Sequence, residues 1–122
     1  MQISGVNNNS FGARISKDFK YVKKICMDAG LSPELYKREV QKIQTYFPGT
    51  EYKFDYCDGI LGYSDKNGKK WFNLYSPNPK YLIAKIVGTC RKISECVKQG
   101  KDFKSIRGYR EPYYIPPYYI EY

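Results

Sequence analysis

Apolar residues recur at helical spacing in two neighbouring stretches near the start of the chain, residues 16–30 and 32–47. Each stretch carries one apolar stripe, and a link of about two residues between them predicts a helical hairpin. Ser16 is the predicted cap of the first helix, and Gly30 fits its end. The second helix is predicted to begin at Ser32-Pro33-Glu34, which supplies a cap, a proline for the first helical position and an acid.

The hydrophobic period changes to two over residues 51–75, where large side chains alternate with polar ones as they do in β-strands. Asp58-Gly59 and Asn67-Gly68 interrupt this alternation, and both dipeptides favour the tight turns of β-hairpins. Two such turns in succession predict a three-stranded antiparallel meander. Its last strand is predicted to place Phe72 and Leu74 on the same face.

The longest apolar stripe lies over residues 79–99 and predicts a helix that covers the sheet. Asn78 is the predicted cap of this helix, and Gly100 follows its last turn. The residues predicted to face the core are Leu82, Ile83, Ile86, Val87, Cys90, Ile93 and Val97.

The order of these elements predicts an α+β fold: an N-terminal helical hairpin, a three-stranded antiparallel meander, a long C-terminal covering helix and an extended tail. Residues 1–15 are predicted to form an N-terminal arm, 16–108 a single α+β domain, and 109–122 a tail rich in tyrosine and proline. Three prolines in the tail exclude a helix there. Its many aromatic rings favour packing over its own domain or docking on a partner.

The composition suits one domain with an ordinary core, since the chain has 122 residues of which 42% are hydrophobic. Four cysteines occur, but residues 1–15 are too polar for a secretory leader, so free thiols and a cytoplasmic location are predicted. No apolar run approaches the roughly 20 residues of a membrane span. Without a histidine or a C-x-x-C pair, no metal site is expected.

Catalytic signatures are few in this sequence. It has no histidine, the commonest general base, and no glycine-rich phosphate loop, so no cofactor is expected. Three aspartates, Asp55, Asp58 and Asp65, with Lys69 or Lys70 are the set that a metal-dependent nuclease would use. Asp58 and Asp65 lie beside predicted turns, however, where aspartate has an ordinary structural role. The sequence therefore favours a binding module over an enzyme and assigns no catalytic residue.

The net charge of +9 is concentrated late in the chain, where residues 80–110 hold nine basic and two acidic side chains. Such an excess favours an anionic partner, either nucleic acid or an acidic protein surface. On the predicted long helix, Lys80, Arg91 and Lys98 share one line. Lys85 and Lys92 share a second line about 120° around the helix.

The function predicted from this charge is nucleic-acid binding through phosphate contacts, because cations spaced along a surface release counterions from a nucleic acid. Tyr63, Tyr75 and Tyr81 are predicted to be exposed nearby and to stack on unpaired bases. The ordinary alternative is a solvated lysine face opposite an apolar stripe. The predicted phosphate contacts are Lys66, Lys69, Lys70, Lys80, Lys85, Arg91, Lys92 and Lys98.

A second hypothesis is a protein–protein interaction module or small inhibitor, of the kind that phages encode or bacteria deliver as effectors. Its anchors would be aromatic side chains on the sheet and in the tail, since buried aromatic residues dominate binding energies at interfaces. The tail residues predicted to contact such a partner are Tyr113, Tyr114, Tyr118 and Tyr119.

Overall fold

The structure of the chain, a computed structural model, describes residues 12–75 and 77–111. Within them it confirms the predicted α+β class, with three α-helices and a five-stranded mixed sheet. The helices are α1 (Phe19–Asp28), α2 (Pro33–Tyr46) and α3 (Leu82–Gln99), and a 3₁₀ turn, Pro79–Tyr81, leads into α3. The strands are β1 (Arg14–Ile15), β2 (Lys53–Cys57), β3 (Ile60–Asp65), β4 (Gly68–Asn73) and β5 (Tyr109–Arg110).

Two of the three predicted helix caps are present. Ser32 Oγ accepts a hydrogen bond from Leu35 N at 3.2 Å, and Asn78 Oδ1 accepts one from Lys80 N at 3.0 Å. The predicted cap at Ser16 is wrong, because α1 begins three residues later with Asp18 at its N-cap position. Ser16 N donates instead to Phe54 O at 2.9 Å, which extends the pairing of β1 with β2 and holds Ser16 in the sheet.

The sheet contains two strands that the sequence pattern did not predict. Its order is β1-β2-β3-β4-β5, and the three central strands are the predicted antiparallel meander. β1 comes from the predicted N-terminal arm and pairs parallel to β2, and β5 comes from the start of the predicted tail and pairs antiparallel to β4. Each is two residues long. Short edge strands of this kind pair the outer backbone groups of a sheet that would otherwise be open.

All three helices pack on one face of the sheet. The core joins Phe54, Leu61, Tyr63, Phe72 and Leu74 from the strands to the apolar stripes of the helices in one cluster. The prediction that α3 covers the sheet is confirmed, and α1 and α2 cover the same face. The fold therefore has two layers, and the other side of the sheet, here termed the helix-free face, has no described helix on it.

The helix-free face carries alternate residues of the central strands. Ile60 is only 3% exposed there, packed by Cys57 and Trp71, which are both partly buried. Lys69 Nζ lies 2.9 Å from Asp55 Oδ2, so a buried carboxylate on this face has a cationic partner. Such a pair satisfies a charge that would be costly to bury alone.

The four cysteines are free thiols, and three of them are buried in the core. Burial raises the pKa of the Cys26, Cys57 and Cys90 thiols above the usual value near 9. Because the thiolate is the reactive form, these side chains act as small hydrophobic groups at neutral pH. In the described part of the chain, no helix is both long and apolar enough to cross a membrane.

Candidate functional site

The outer face of α3 carries four exposed basic side chains, here termed the α3 basic face: Lys85, Arg91, Lys92 and Lys98. Residues seven apart lie almost in line on an α-helix, so Lys85 and Lys92 form one row, and Arg91 and Lys98 form another. Between the rows lie small or acidic residues, Ala84, Gly88 and Glu95. Lys85 and Lys98 are the outermost of these charges, and at about 1.5 Å per residue they lie about 20 Å apart along the 18-residue helix.

Lys80 does not continue either row, although the sequence pattern predicted that it would. It lies in the 3₁₀ turn before α3, so the α-helical period does not apply to it. Its Nζ lies 5.7 Å from the centre of the Tyr81 ring, where a cation is attracted to the aromatic face.

The three predicted lysines of the β3–β4 hairpin are placed apart from one another. Lys66 is exposed in the turn. Lys70 is opposite Tyr63 in the strand register, and it lines a pocket of about 270 Å³ together with Lys101 at the C-terminal end of α3. Lys69 points to the helix-free face, where it pairs with Asp55. The hairpin therefore brings only Lys70 next to the end of α3.

Of the three tyrosines predicted to be exposed, two are. Tyr75 and Tyr81 are 55% and 52% exposed, respectively, whereas Tyr63 is 1% exposed. Tyr63 lies among core aromatic rings and its hydroxyl donates to Asp65 Oδ2 at 2.6 Å. Burial and then this carboxylate raise the pKa of Tyr63 well above the usual value near 10. The prediction that Tyr63 stacks on a base is therefore wrong, because its ring belongs to the core.

Tyr75 and Tyr81 lie on one open pocket of about 440 Å³, here termed the tyrosine pocket, at the N-terminal end of α3. Tyr81 is placed by the 3₁₀ turn that Asn78 caps. Tyr75 has a φ of +52°, a left-handed conformation that costs a bulky residue about 1 kcal/mol or more. Its N–H donates to Asn73 Oδ1 at 2.7 Å, which stabilises this turn. The pocket is lined by Leu74, Tyr75, Pro77, Asn78, Tyr81, Ala84 and Lys85.

Three cations contact the tyrosine pocket or the rings that line it. Lys85 lines it, Lys80 lies over the Tyr81 ring, and Arg107 lies over the Tyr75 ring with its guanidinium carbon 5.3 Å from the ring centre. Arg107 was not among the predicted phosphate contacts. The only feature of the sequence that indicated a role for it is its position in the basic region 80–110. The pocket therefore combines exposed aromatic faces with positive charge.

The three aspartates of a nuclease-like set are not brought together. Asp55 faces the helix-free side, whereas Asp65 bonds to Tyr63 on the helix side of the sheet. Asp58 occupies the β2–β3 turn with a φ of +46°. Among residues 12–75 and 77–111, no three Cys, Asp or Glu side chains form a group that would hold a metal ion.

The surface features relevant to a protein partner lie elsewhere. Large apolar side chains are exposed on α1 and at the start of α2, namely Tyr21, Ile25, Met27 and Leu35. The predicted tail contacts, Tyr113, Tyr114, Tyr118 and Tyr119, lie outside the described residues, as do residues 1–11 of the predicted arm.

Comparison with known proteins identifies no relative of this two-layer α+β fold. No protein-family model matches the chain, and no curated protein or solved structure matches it either. The function of the protein has therefore to be inferred from its own residues.

Proposed function

We propose that the protein is a non-enzymatic nucleic-acid-binding module that contacts phosphates through the α3 basic face. The observation that carries this proposal is the arrangement of four exposed cations in two rows along one helix, with Glu95 as the one acid between them. The charge of the surrounding region supports it, since residues 80–110 have a net charge of +7 from nine basic and two acidic side chains.

The dimensions of α3 suit a nucleic-acid backbone. A span of about 20 Å matches about six base steps of 3.4 Å each, so both ends of the face reach the same short segment. Each phosphate neutralised by a lysine or arginine releases a condensed counterion, and this release supplies most of the affinity for nucleic acid of any sequence. Binding is therefore expected to weaken steeply as salt is raised.

The proposal is tested by the double charge reversal Lys85→Glu/Lys92→Glu. Fluorescence anisotropy would follow binding to labelled duplexes and single strands at about 50 and 200 mM salt. We expect weaker binding to every sequence, and a log–log salt slope shallower by about two, one for each lost phosphate contact.

The matched control is Lys23→Glu/Lys37→Glu, which makes the same change of net charge at two exposed positions on α1 and α2. The control is expected to bind more tightly than the α3 variant. Equal loss in both would mean that overall charge rather than the α3 basic face attracts the ligand. Unchanged affinity in Lys85→Glu/Lys92→Glu would remove these two residues from the proposal.

A second candidate function, a protein-interaction module or small inhibitor, is favoured by the apolar side chains exposed on α1. Tyr21 is 53% exposed, and Ile25 lies one turn further along the same side of the helix. Large apolar patches on the surface of a small domain are typical of interaction surfaces. The variant Tyr21→Ser/Ile25→Ser is expected to lose a partner captured by the wild type, while nucleic-acid binding stays unchanged.

A further inference from the structure

We infer that the tyrosine pocket binds an unpaired nucleobase, so that the protein prefers single-stranded nucleic acid to a duplex. This inference rests on the proposed function, because it assigns the strand type that the α3 basic face recruits. The ligand is a single-stranded segment of DNA or RNA whose base stacks in the pocket while the adjoining phosphates lie on the surrounding cations.

The first support is the exposure of both rings. Tyr75 and Tyr81 each expose more than half of their surface to solvent, and both line the same pocket. Tyr75 does so in the left-handed backbone conformation, which its hydrogen bond to Asn73 Oδ1 stabilises. Aromatic rings presented in this way stack on bases of any identity, because every base has a π-face.

The second support is the charge around the rings. Lys80 and Arg107 each lie over a tyrosine ring, 5.7 Å and 5.3 Å from its centre, so positive charge lies directly beside the two exposed rings. Lys85 belongs both to the pocket and to the α3 basic face, so the two surfaces are continuous. An apolar ligand would gain nothing from three cations, whereas a nucleotide has both an aromatic base and a phosphate.

The third support is the shape and lining of the pocket. Its volume of about 440 Å³ lies within the range of about 300–1,000 Å³ that small-molecule sites occupy. Asn78 adds a polar group, and since its amide oxygen caps the 3₁₀ turn, hydrogen bonding to a base edge falls to its amide NH₂ group. Bases inside a duplex are covered on both faces by their neighbours, whereas an unpaired base is free to leave the stack and offer a face to these rings.

The experiment compares two ring-removing variants with matched controls. Tyr75→Asn removes the ring but retains a residue that tolerates the left-handed conformation, so the fold is preserved. Tyr81→Ala removes the second ring. The control is Tyr21→Ala, because Tyr21 is equally exposed and has Lys20 Nζ 5.1 Å from its ring centre, but lies on α1 away from the pocket. Tyr75→Phe and Tyr81→Phe retain the rings.

Binding is measured by anisotropy with a labelled single-stranded oligonucleotide and with a hairpin duplex of the same composition. Loss of each ring is expected to weaken single-strand binding about tenfold, since stacking on one aromatic side chain contributes roughly that factor. Duplex binding is expected to stay unchanged, and the Tyr21→Ala and Phe variants are expected to bind as the wild type does.

Two results would overturn the inference, and they differ. Wild-type affinity for single strands in both Tyr75→Asn and Tyr81→Ala would reject the stacking pocket and leave phosphate binding by α3 intact. If the wild-type protein bound neither single strands nor duplex at about 50 mM salt, the proposed function would be rejected, and the base-binding pocket with it.

Discussion

Single side chains in this core are held by polar contacts as well as by packing, and Tyr36 is the clearest case. It lies buried between α1 and α2, and its hydroxyl donates to Phe19 O at 3.1 Å. Burial, and to a smaller extent the neighbouring Cys26 thiol, raises the pKa of Tyr36 to about 12. In the unfolded chain a tyrosine ionises near pH 10.

This pKa difference predicts a loss of stability in alkali. Because the pKa of Tyr36 is higher in the folded than in the unfolded chain, its protonated hydroxyl contributes its full stabilisation below about pH 10. This contribution to the free energy of unfolding is lost as the pH rises from about 10 through about 12. Tyr36→Phe is expected to cost about 1–2 kcal/mol at pH 8, because the buried hydrogen bond from the Tyr36 hydroxyl to Phe19 O is lost. Between pH 10 and pH 12 the difference from wild type should narrow by about 1 kcal/mol or more.

The measurement is urea unfolding of wild type and Tyr36→Phe at pH 8, 10 and 12. Tyr21→Phe is the control, since its hydroxyl belongs to an exposed ring and its removal is expected to change nothing. A constant difference across the three pH values would mean that Tyr36 titrates alike in both states.

The solvent exposure of single tyrosines is the property that the sequence predicts least well. Tyr63, Tyr75 and Tyr81 all lie near basic residues in the sequence, but Tyr63 faces the core and the other two face solvent. A tyrosine has a large apolar body and a polar tip, so its composition fits both positions. Only the register of β3 against β2 and β4 places Tyr63 beneath the helices.

At the scale of elements, glycines in α3 and before β5 have opposite roles. Gly88 lies in the interior of α3, and a Cβ added there would meet no atom within 4 Å. Gly108 has a φ of +94°, and a Cβ added there would collide with the backbone oxygen of Asn73. The two residues are held together by a hydrogen bond of 2.7 Å, which Asn73 N–H donates to Gly108 O. The close approach of β5 to β4 therefore needs a glycine, whereas the helix does not.

Alanine substitution at the two glycines is expected to change stability in opposite directions. Gly88→Ala should raise the free energy of unfolding by about 0.5–1 kcal/mol through helix propensity. Gly108→Ala should lower it by about 2 kcal/mol or more, through strain and displacement of β5. Urea midpoints at unchanged m-value would measure both. Stabilisation by Gly108→Ala would contradict the tight packing of β5 against β4.

On the scale of the whole molecule, the two faces of the sheet are unequal. One carries three helices, whereas the other buries Ile60 and the indole nitrogen of Trp71 without a described helix above them. The prediction that the tail packs over its own domain is tested on this helix-free face. Trp71 is the single tryptophan of the chain, so its fluorescence reports on this face alone.

Deletion of residues 112–122 retains β5 and removes the rest of the predicted tail. If the tail packs over the domain, we expect the Trp71 emission to shift to longer wavelength and the urea midpoint to fall. The control is the full chain with Tyr113, Tyr114, Tyr118 and Tyr119 changed to Phe, which keeps the aromatic area. Unchanged emission together with loss of a captured partner would favour the interaction-module hypothesis instead.

Features that depend on near neighbours in the chain could be predicted from the sequence. The positions of α2 and α3 were predicted from the helical period and from the caps at Ser32 and Asn78. The meander was predicted from the turns at Asp58-Gly59 and Asn67-Gly68. The two rows of the α3 basic face also followed from the period, because charges on one helix need no tertiary contact to align.

Features that depend on contacts between distant segments follow only from the folded chain. The strands Arg14–Ile15 and Tyr109–Arg110 are too short to show a period, and they exist because β2 and β4 offer them backbone partners. Likewise, Arg107 meets Tyr75 only because the chain returns after α3 to the edge of the sheet. All three helices pack on one face of the sheet because their apolar stripes share one core. The hydrophobic pattern of a single segment does not show which face of the sheet that segment will cover.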